Sequence, residues 1–399
     1  MPRTSGPARS GAAAAALLVL PVLALPALSG TASAAPGTGA REAAAPITRT
    51  TGKPVRGSWI VTLREGADAR GVARRHAAQA GHVYTAALSG FSARLNAGQV
   101  RALQNDSDVV ALEPDQVVEA DATQTVAKGG GLYGLDRTDQ RALPLSGSYT
   151  YGRTGSGVSA YVIDTGIATG HPAFGGRARN VFDAFGGNGQ DCNGHGTHVA
   201  GTIGGSTYGV AKGVALRGVR VLDCGGSGST SGIIAGIEWV RANAVKPAVA
   251  NMSLGGGYSS ALNTATNNLS SSGVFVAVAA GNENQNACNV SPASASAPTV
   301  VAASDKTDTR ASFSNYGSCV ELYAPGVAIT STWLNGGTST ISGTSMASPH
   351  VAGVAALYKS GGDAASSTVN SWLLSNATGS AVRSNPSGTP NRLLFKSTL

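Results

Sequence analysis

Four polar residues of this 399-residue chain have the types that acyl-transfer chemistry needs. Asp164 ends the apolar run VSAYVID, His195 lies in NGHGTHVAG, Asn282 follows GVFVAVAAG, and Ser345 lies in GTSMASPHVAGVAAL. A serine hydroxyl becomes a good nucleophile when a histidine removes its proton, and a carboxylate orients that histidine. An asparagine amide can donate a hydrogen bond to the oxyanion that forms. Together these residue types predict nucleophilic hydrolysis.

Three of these residues also have a simpler structural explanation. Ser345 could be a helix N-cap, Asp164 could form an Asx-turn, and Asn282 could be a turn residue in GNEN. The chain order Asp, His, Ser is nevertheless one in which catalytic triads occur. We therefore expect Ser345 both to cap a helix and to act as the nucleophile, because the positive end of a helix stabilises a nearby oxyanion.

A zinc site is an alternative for the histidines, since His198 follows His195 at a spacing that fits one helical face. The HExxH spacing is absent, and no nearby carboxylate completes such a site. We expect His198 and His350 to be structural residues bonded within the fold. His171, in a loop beside a proline, carries no functional signal.

The apolar runs between residues 158 and 281 indicate a parallel sheet. VSAYVID, GVRVLD, AVANMSL and GVFVAVAAG are continuous, and the helical stretches TSGIIAGIEWVRANA and SALNTATNNLSSSG lie among them. Strands buried on both sides that alternate with helices predict an α/β fold with helices on both faces. Functional residues of such sheets lie at the carboxyl ends of the strands, where Asp164 and Asn282 stand.

Residues 58–119 have a different pattern, which predicts a separate α+β unit. SWIVTLRE is typical of a strand, ADARGVARRHAAQAG of a helix ending at Gly81, and HVYTAALSGFSARL of two short strands. NAGQVRALQND predicts a second helix, capped by Asn96, and VVALEPDQVVEA predicts a last strand. This β-α-β-β-α-β order is the ferredoxin-like motif. The composition of residues 35–57 is typical of a linker, and the glycine-rich stretch 122–131 is a candidate boundary.

Residues 1–34 have the features of a secretion signal. Arg3 and Arg9 precede an apolar stretch that contains two prolines, and Ala32-Ser33-Ala34 matches a small-x-small cleavage pattern. A transmembrane anchor is the alternative, but the apolar run is short, and no later stretch is long and apolar enough to cross a bilayer. We expect this segment to be removed and the rest to be secreted without a membrane anchor.

The composition limits the classes of function. Hydrophobic residues make up 42% and charged residues 13% of the chain, which is typical neither of a disordered protein nor of a membrane bundle. The net charge is +8, but the basic residues are scattered, so we expect no nucleic-acid partner. The sequence gives no sign of oligomerisation, and we expect a monomer.

The four cysteines all lie in the C-terminal part, at Cys192, Cys224, Cys288 and Cys319. They allow three pairings. Pairing in sequence order would close two loops, each stabilising the fold by about 3–4 kcal/mol. Free thiols and a zinc site are alternatives, although no CxxC spacing is present and an oxidising compartment favours disulfides.

Several stretches within residues 132–396 resemble the subtilisin-like serine proteases, in particular their proteinase K and aqualysin branch. The matching stretches are YVIDTGI, DCNGHGTHVAGTIGG, NMSLGGG, AVAAGN, SFSNYGS and SGTSMASPHVAGVAAL. Ser348 is a small departure, since the family usually has threonine there. The resemblance implies a three-layer α/β fold with a mostly parallel central sheet and helices on both faces, formed by residues 122–399. It also implies a catalytic set of Asp164, His195, Ser345 and Asn282.

The resemblance gives residues 35–121 a role as an inhibitory propeptide, with a folded part at about 58–119. The propeptide would template folding and leave its C-terminal tail, VVEAD, in the substrate cleft. Self-cleavage would fall near Asp121–Ala122, within a residue or two, because an aspartate before the cut fits an apolar pocket poorly. The chain would then be a self-processing zymogen.

Protein and peptide substrates are the expected partners of the C-terminal part. An extended peptide would lie as an added strand between two edge segments, and main-chain bonding favours broad specificity. A pocket with small walls leaves room for large apolar or aromatic side chains before the scissile bond. The residues concerned are Gly226 and Ser227 in one edge segment, Ser253, Leu254 and Gly255 in the other, and Ala279, Ala280 and Gly281 in the pocket wall.

No cofactor is expected for the chemistry, but the resemblance implies a structural calcium site at Ser296, Pro298 and Glu321. Backbone carbonyls and one carboxylate would be the ligands, with glutamate in place of the family's aspartate. A solvated Glu321 is the alternative. A second calcium loop is expected to be lost, because serines replace further ligands; it comprises Asp136, Asp139, Gln140, Ser146 and Ser148.

Two other classes of function remain to be tested. A non-catalytic binding protein on the same scaffold would not need all four residues of the catalytic set. A metal-dependent hydrolase that uses His195 and His198 would be sensitive to chelators and resistant to serine-directed reagents. The fold can host many functions, so the site has to decide among them.

Overall fold

A computed structural model describes residues 44–120, here called the N-terminal module, and residues 132–399, the C-terminal module. The expected secretion signal, the expected cut near Asp121–Ala122 and the glycine-rich boundary lie outside the described residues. All described residues fall within one compact unit.

The N-terminal module has the predicted β-α-β-β-α-β order. Its antiparallel sheet has the strand order β4-β1-β3-β2, and a core that includes Val61, Phe91 and Leu112 packs against the helices. The elements are β1 (Pro54–Leu63), α1 (Ala69–Arg75), β2 (Ala80–Tyr84), β3 (Gly90–Arg94), α2 (Ala97–Gln104) and β4 (Val109–Ala120).

The two helices of this module show where sequence patterns locate an end well and where they do not. Asn96 caps α2 as predicted: its side chain accepts the Gln99 N–H, and the Gln99 side chain accepts the Asn96 N–H, both at 3.0 Å. The first helix ends at Arg75 and not at Gly81. Ala77 has φ +49, which ends the helix, and Ala80 already pairs with β3. Strand pairing therefore places in β2 the last residues that the pattern assigned to the helix.

The folded part of this module begins earlier than residue 58, so the linker prediction for residues 35–57 is wrong in its described part. Strand β1 starts at Pro54, and Ile47 forms a parallel bridge with Leu112. The Ala45 N–H donates to the Gln104 carbonyl at 2.7 Å. Composition suggested a solvated segment, but its backbone groups are bonded to the module.

The central sheet of the C-terminal module has nine strands in the order β17-β18-β14-β13-β11-β9-β5-β7-β6. Every neighbouring pair is parallel except β17 with β18, which confirms the mostly parallel sheet. These strands are β5 (Ser159–Asp164), β6 (Ala178–Asp183), β7 (Ala215–Arg220), β9 (Ala248–Met252), β11 (Phe275–Ala279), β13 (Thr299–Ser304), β14 (Leu322–Pro325), β17 (Thr378–Gly379) and β18 (Arg392–Leu393).

Five short strands lie outside this central sheet, and β15 pairs only with β16. Two others, β8 and β10, pair with β4 of the N-terminal module. The helices are α3 (Tyr133–Asp139), α4 (His195–Gly204), α5 (Thr230–Asn243), α6 (Ser260–Ser271), α7 (Thr344–Lys359) and α8 (Ser366–Asn376), and the short strands are β8 (Ser227–Ser229), β10 (Leu254–Gly257), β12 (Val290–Ser291), β15 (Ile329–Thr332) and β16 (Thr338–Ile341).

Helices cover both faces of the central sheet, as the buried apolar runs predicted. Tyr161 and Ile163 of β5 join one core with residues of α5 and α6, whereas Ala160 and Val162 join a second core with residues of α4 and α7. Successive side chains of a strand point to opposite faces, so one strand contributes to both cores. The carboxyl ends of β5 and β11 consequently meet the starts of α4 and α7 at one edge.

Both disulfides follow the chain order. Cys192 is bonded to Cys224 and Cys288 to Cys319, with sequence separations of 32 and 31 residues. No cysteine of this chain is free, which excludes the zinc and free-thiol alternatives for these residues.

Candidate active site

Asp164 and His195 form a buried pair at the carboxyl end of β5. The Asp164 carboxylate accepts from Nδ1 of His195, at 2.8 Å to Oδ1 and 3.0 Å to Oδ2. Asp164 is fully buried, and only 2% of the surface of His195 is exposed. The Thr165 N–H also donates to Asp164 Oδ1, at 2.7 Å. The bond to Nδ1 leaves Nε2 of His195 as the basic nitrogen.

Asp191 organises the loop that presents His195, a role that the sequence analysis missed. Its Oδ1 accepts from the Gly194 N–H at 2.9 Å, and its Oδ2 accepts from the Thr197 N–H at 2.9 Å. The Thr165 hydroxyl donates to the same carboxylate at 2.9 Å. One carboxylate thus ties the end of β5 to the first turn of α4, and so fixes the spacing of Asp164 and His195.

Ser345 lies in the first turn of α7, but it does not cap the helix as predicted. Gly343 occupies the N-cap position and has no side chain to cap the helix, so the Ser345 hydroxyl is not the N-cap group. The Ser345 hydroxyl donates to the Ser253 carbonyl at 3.1 Å, and the Ser253 hydroxyl donates back to the Ser345 carbonyl at 2.8 Å. Since its hydroxyl makes no capping bond, Ser345 keeps it directed at the segment around Ser253.

Asn282 faces the same helix start. Its Oδ1 accepts from both the N–H and the hydroxyl of Thr344, at 2.9 and 3.0 Å. The Thr344 hydroxyl in turn accepts from the Gly281 N–H at 3.1 Å. With Oδ1 held by two donors, the amide orientation is set, and Nδ2 is the donor group of this side chain.

Ser348 takes part in a buried chain of hydrogen bonds beneath the helix start. Its hydroxyl donates to Asn251 Oδ1 at 2.7 Å, and Asn251 Nδ2 donates to the Ser253 hydroxyl at 2.8 Å. Serine therefore supplies the hydroxyl that this position needs, although the family usually has threonine. These hydrogen bonds connect Ser348, in the second turn of α7, to the carbonyl of Ser345 through Ser253.

An extended segment of the N-terminal module occupies the groove between the two predicted edge segments. On one side Glu119 pairs with Ser227, and the Ala120 N–H donates to the Gly226 carbonyl at 2.8 Å. On the other side the end of β4 is antiparallel to β10, with Ala120 opposite Leu254 and Glu119 opposite Gly255. The described part of β4 ends there, in a cavity that His195 also lines. An extended peptide therefore fits this groove as a central strand.

A cavity of about 660 Å³ opens beside this groove. Of the three residues that the resemblance assigns to the pocket wall, Ala279 and Gly281 line this cavity and Ala280 does not. Ala280, the residue after β11, is fully buried and belongs to the core that includes residues of α5 and α6. Glu283 also lines the cavity, with Oε2 accepting from the Asn315 amide at 2.7 Å. The pocket thus has small walls and one carboxylate.

Two carboxylates of the N-terminal module contact the helix starts that flank the groove. Asp115 accepts from the Ser231 N–H at 3.0 Å and from its hydroxyl at 2.7 Å, at the start of α5. Glu113 accepts from the Ser259 hydroxyl and the Ala261 N–H at the start of α6. Burial raises the pKa of Glu113, and these donors oppose that rise. Negative groups at helix N-termini stabilise the docked arrangement.

A second contact between the modules involves the turn after β2. The Glu238 carboxylate accepts from the backbone N–H groups of Thr85, Ala86 and Ala87. Arg241 donates to the Ala86 carbonyl. The N-terminal module is therefore held by charged side chains on α5 as well as by strand pairing.

The other histidines of the C-terminal module have structural partners, as predicted. Nε2 of His198 bonds the Ile329 carbonyl at 3.0 Å, and Nδ1 of His350 bonds the Met346 carbonyl at 2.8 Å. Burial lowers the pKa of His198 to about 3 and that of His350 to about 4. His171 accepts the Ala173 N–H in its loop. The described residues contain no group of three or more His, Cys, Asp or Glu that could hold a metal ion.

Glu321 has a buried carboxylate that the fold only partly satisfies. Asn370 donates to Oε1 at 3.3 Å, while Oε2 has no hydrogen-bond partner among the described residues. Burial raises the pKa of Glu321 to about 7. Its N–H donates to the Val300 carbonyl at 3.0 Å, which places it beside the strand that follows Ser296 and Pro298. A hard cation would supply the partner that Oε2 lacks.

The second predicted calcium loop is bonded internally. Asp136 Oδ1 accepts from the Ser146 N–H at 3.1 Å, and Oδ2 accepts from the Gly147 N–H at 2.6 Å. Asp139 accepts from the Thr150 N–H at 2.6 Å. Backbone N–H groups of the same loop therefore bond both of these carboxylates.

Two family models match this chain. The model described as the Subtilase family matches residues 155–393, and the model described as Peptidase inhibitor I9 matches residues 57–121. Within the described residues no helix is both long enough and apolar enough to cross a bilayer.

Named relatives are identical to this chain at about half of the aligned residues. An extracellular serine proteinase of Thermus sp. (strain Rt41A) is 56% identical over 318 residues, which are 78% of this chain and 77% of the relative. Alkaline serine exoprotease A of Vibrio alginolyticus is 51% identical over 79% of this chain, which spans 60% of that relative. The crystal structure of a cold adapted subtilisin-like serine proteinase is 53% identical with a TM-score of 0.65, covering 67% of this chain and 98% of that one.

Proposed function

This chain belongs to the subtilase family of serine proteinases, and we propose that it is a secreted, self-processing endopeptidase that works through an acyl-enzyme on Ser345. The observation that carries the proposal is the extended segment held between β8 and β10. It ends in the cavity that His195 lines, as a peptide substrate would. The family supplies the reaction class, and the groove supplies the way in which a chain enters the site.

The triad would use three residues in distinct roles. Ser345 would attack the peptide carbonyl as Nε2 of His195 takes its hydroxyl proton. His195 would then give this proton to the departing amine, and the acyl group on Ser345 would be released by a water activated in the same way. Asp164 holds the imidazole through Nδ1, so it would fix the tautomer and stabilise the imidazolium.

The oxyanion would be bound by Nδ2 of Asn282 and by the backbone N–H of Ser345. The bonds from Thr344 to Asn282 Oδ1 orient the amide before the reaction, so little reorganisation is needed. The N–H of Ser345 belongs to the first turn of α7, where the helix dipole favours negative charge.

Substrates would bind as β4 does. The main chain would pair with Gly226 and Ser227 on one side and with Ser253, Leu254 and Gly255 on the other, which does not depend on side-chain identity. The side chain before the cut would enter the cavity that Ala279 and Gly281 line. Broad specificity with a preference for large apolar or aromatic residues follows from these small walls.

The N-terminal module would act as the propeptide, in agreement with its match to the inhibitor family. Asp115 and Glu113 dock it at the starts of α5 and α6, and β4 leads into the cleft. The proposed cut near Asp121–Ala122 follows the last described residue of this strand. Removal of the secretion signal and release outside the cell agree with relatives that are named extracellular.

A structural calcium ion would fit Glu321. The oxygen of its buried carboxylate that lacks a donor suits a hard cation, and the carbonyls of Ser296 and Pro298 would complete the protein ligands. The ion would stabilise the fold and take no part in the reaction. If neither calcium nor chelator changes the temperature of thermal unfolding, this assignment is wrong.

The experiment that tests the function is the intact mass of the secreted protein, for wild type, Ser345→Ala and the surface control Ser375→Ala. We expect wild type and the control to lose residues up to about Asp121, while Ser345→Ala keeps its propeptide. If all three are cut alike both with and without chelator, another protease does the processing and the self-cleavage claim is wrong. If the chain is a non-catalytic binding protein, none of the three proteins should be cut. If it is a metal hydrolase, Ser345→Ala should still cut itself, and chelator should prevent the cut.

A further inference from the structure

Residues 49–53, here called the arm, contact the C-terminal module although they precede the residues that match the inhibitor family. The Tyr258 N–H donates to the Thr51 hydroxyl at 2.7 Å. Gly52 packs directly on Gly257, since a Cβ added to Gly257 would stand 1.9 Å from the Gly52 nitrogen. Two backbones therefore meet where only glycine leaves room.

Gln116 closes a ring of hydrogen bonds around this contact. Its Oε1 accepts from the Gly52 N–H at 2.5 Å, and its Nε2 donates to the Tyr258 carbonyl at 3.2 Å. Gln116 is 1% exposed, so both bonds are shielded from water. The next residue of β4, Val117, donates its N–H to the Lys53 carbonyl at 2.8 Å. The arm, β4 and Tyr258 are thus linked by side-chain and main-chain bonds at one point.

The arm also lies over part of the pocket that would receive the substrate side chain. Thr51 and Gly52 line the same cavity as Ala279 and Gly281. While β4 fills the groove, the arm covers the cavity from the side of Gly257. The two segments therefore cover neighbouring parts of one binding surface.

We propose that Gly257 and Tyr258 form a second propeptide-binding surface, that the arm is its occupant, and that this contact slows release of the cleaved propeptide. The inference rests on the proposed function, because it concerns the complex that self-cleavage leaves behind. The arm adds bonds that are independent of the strand pairing, so it lowers the dissociation rate of the complex and leaves the cut itself unaffected.

Full-length variants test the proposal. The measured quantity is the delay between self-cleavage, monitored by intact mass, and the appearance of peptidase activity. Thr51→Val removes the acceptor of the Tyr258 bond, and we expect release about five-fold faster, the usual effect of one hydrogen bond. Gly52→Val would meet Gln116 Oε1 at 2.3 Å and Gly257 N at 3.0 Å, so it should speed release about ten-fold or more. Thr51→Ser, which keeps a hydroxyl, and the neighbouring Thr50→Val should behave like wild type.

The mature enzyme has the same sequence in all these variants, so the final activity is an internal control. Equal delays for Thr51→Val, Thr51→Ser and wild type would overturn the role of the arm. Thr51→Val decides the matter if Gly52→Val fails to fold. Absence of self-cleavage in wild type would instead count against the proposed function, so the two failures are distinguishable.

Discussion

Thr344 donates both its backbone N–H and its hydroxyl to Oδ1 of Asn282, at 2.9 and 3.0 Å. The two residues are far apart in the chain, yet this contact decides which way the Asn282 amide faces. A group that must donate to a short-lived oxyanion gains from being oriented beforehand. Thr344 is therefore a positioning residue for the reaction proposed here.

Replacing Thr344 by valine should lower kcat about ten-fold and leave KM almost unchanged. The variant keeps the backbone donor but loses the hydroxyl, so the amide of Asn282 is held less firmly. This matters only when the oxyanion forms, and substrate binding is therefore unaffected. Steady-state kinetics on a peptide substrate measure this, with Thr344→Ser as the variant that should restore activity.

Asn282→Ala provides the matching test of the same contact. Its kcat should fall by about 100- to 1,000-fold, a range known for the loss of such a donor in subtilisin and not calculated from this structure. Because Thr344 would act only through Asn282, adding Thr344→Val to Asn282→Ala should cause no further loss. A full ten-fold additional drop would show that Thr344 has another role.

The Glu283 carboxylate should extend the preference of the pocket to basic side chains. It lines the cavity beside the small walls, so a lysine placed before the cut could bring its ammonium group near it. A solvated pair of this kind is worth up to about 1 kcal/mol. We expect Glu283→Gln to reduce kcat/KM for lysine substrates about five-fold, with phenylalanine substrates changed less than about two-fold. Equal effects on both substrates would contradict the assignment.

The pKa of Glu321, raised by burial from 4.5 to about 7, predicts a calcium-dependent effect of pH on stability. The folded protein prefers the protonated acid, so without calcium its free energy of unfolding should fall as the pH rises from about 4.5 to about 7. The loss should be at most about 3 kcal/mol. Calcium favours the carboxylate and should restore stability above pH 7.

Thermal unfolding in the Ser345→Ala background, which prevents self-digestion, checks this prediction. In chelator, Glu321→Gln should lose the pH dependence and be more stable than its parent above pH 7. Calcium should then raise the unfolding temperature of the parent and not that of Glu321→Gln. A parent that unfolds at the same temperature in calcium and in chelator would remove the calcium assignment.

Removal of each disulfide should affect stability alike but activity differently. The loops span 32 and 31 residues, so each double cysteine-to-alanine variant should lose about 3–4 kcal/mol. The Cys224 carbonyl accepts from Nδ2 of Asn193 at 3.0 Å, and Asn193 Oδ1 accepts from the His195 N–H at 3.2 Å. Loss of the Cys192–Cys224 disulfide should therefore also lower kcat. Denaturant unfolding and kinetics of both variants compare the two effects.

The sequence predicted the sheet well because its signals are local. Strands buried on both faces need continuous apolar runs, and those that end at Asp164 and near Asn282 located two of the site residues. The Asn96 cap could be read for the same reason, since the capping box is complete within four residues. The family resemblance then joined these elements into one site.

The missed features depend on contacts between distant parts of the chain. Asp191 looks like a turn residue in sequence, and its role appears only when β5 and α4 are brought together. Ala280 could not be told from Ala279 without knowing which face each takes. Ser345 was expected to cap its helix, but Gly343 holds the N-cap position, and the Thr344 N–H at the helix start donates to Asn282, which is distant in the chain.

The placement of β4 between β8 and β10 has a consequence for populations of molecules. The occupying strand belongs to the same chain, so under the proposed function every newly made enzyme would carry one equivalent of its own inhibitor. Once the connecting bond was cut, the first enzyme to become free could digest the inhibitors of its neighbours. Activation would then be autocatalytic, so a dilute population would stay inactive for a long time, whereas a concentrated one would become active abruptly.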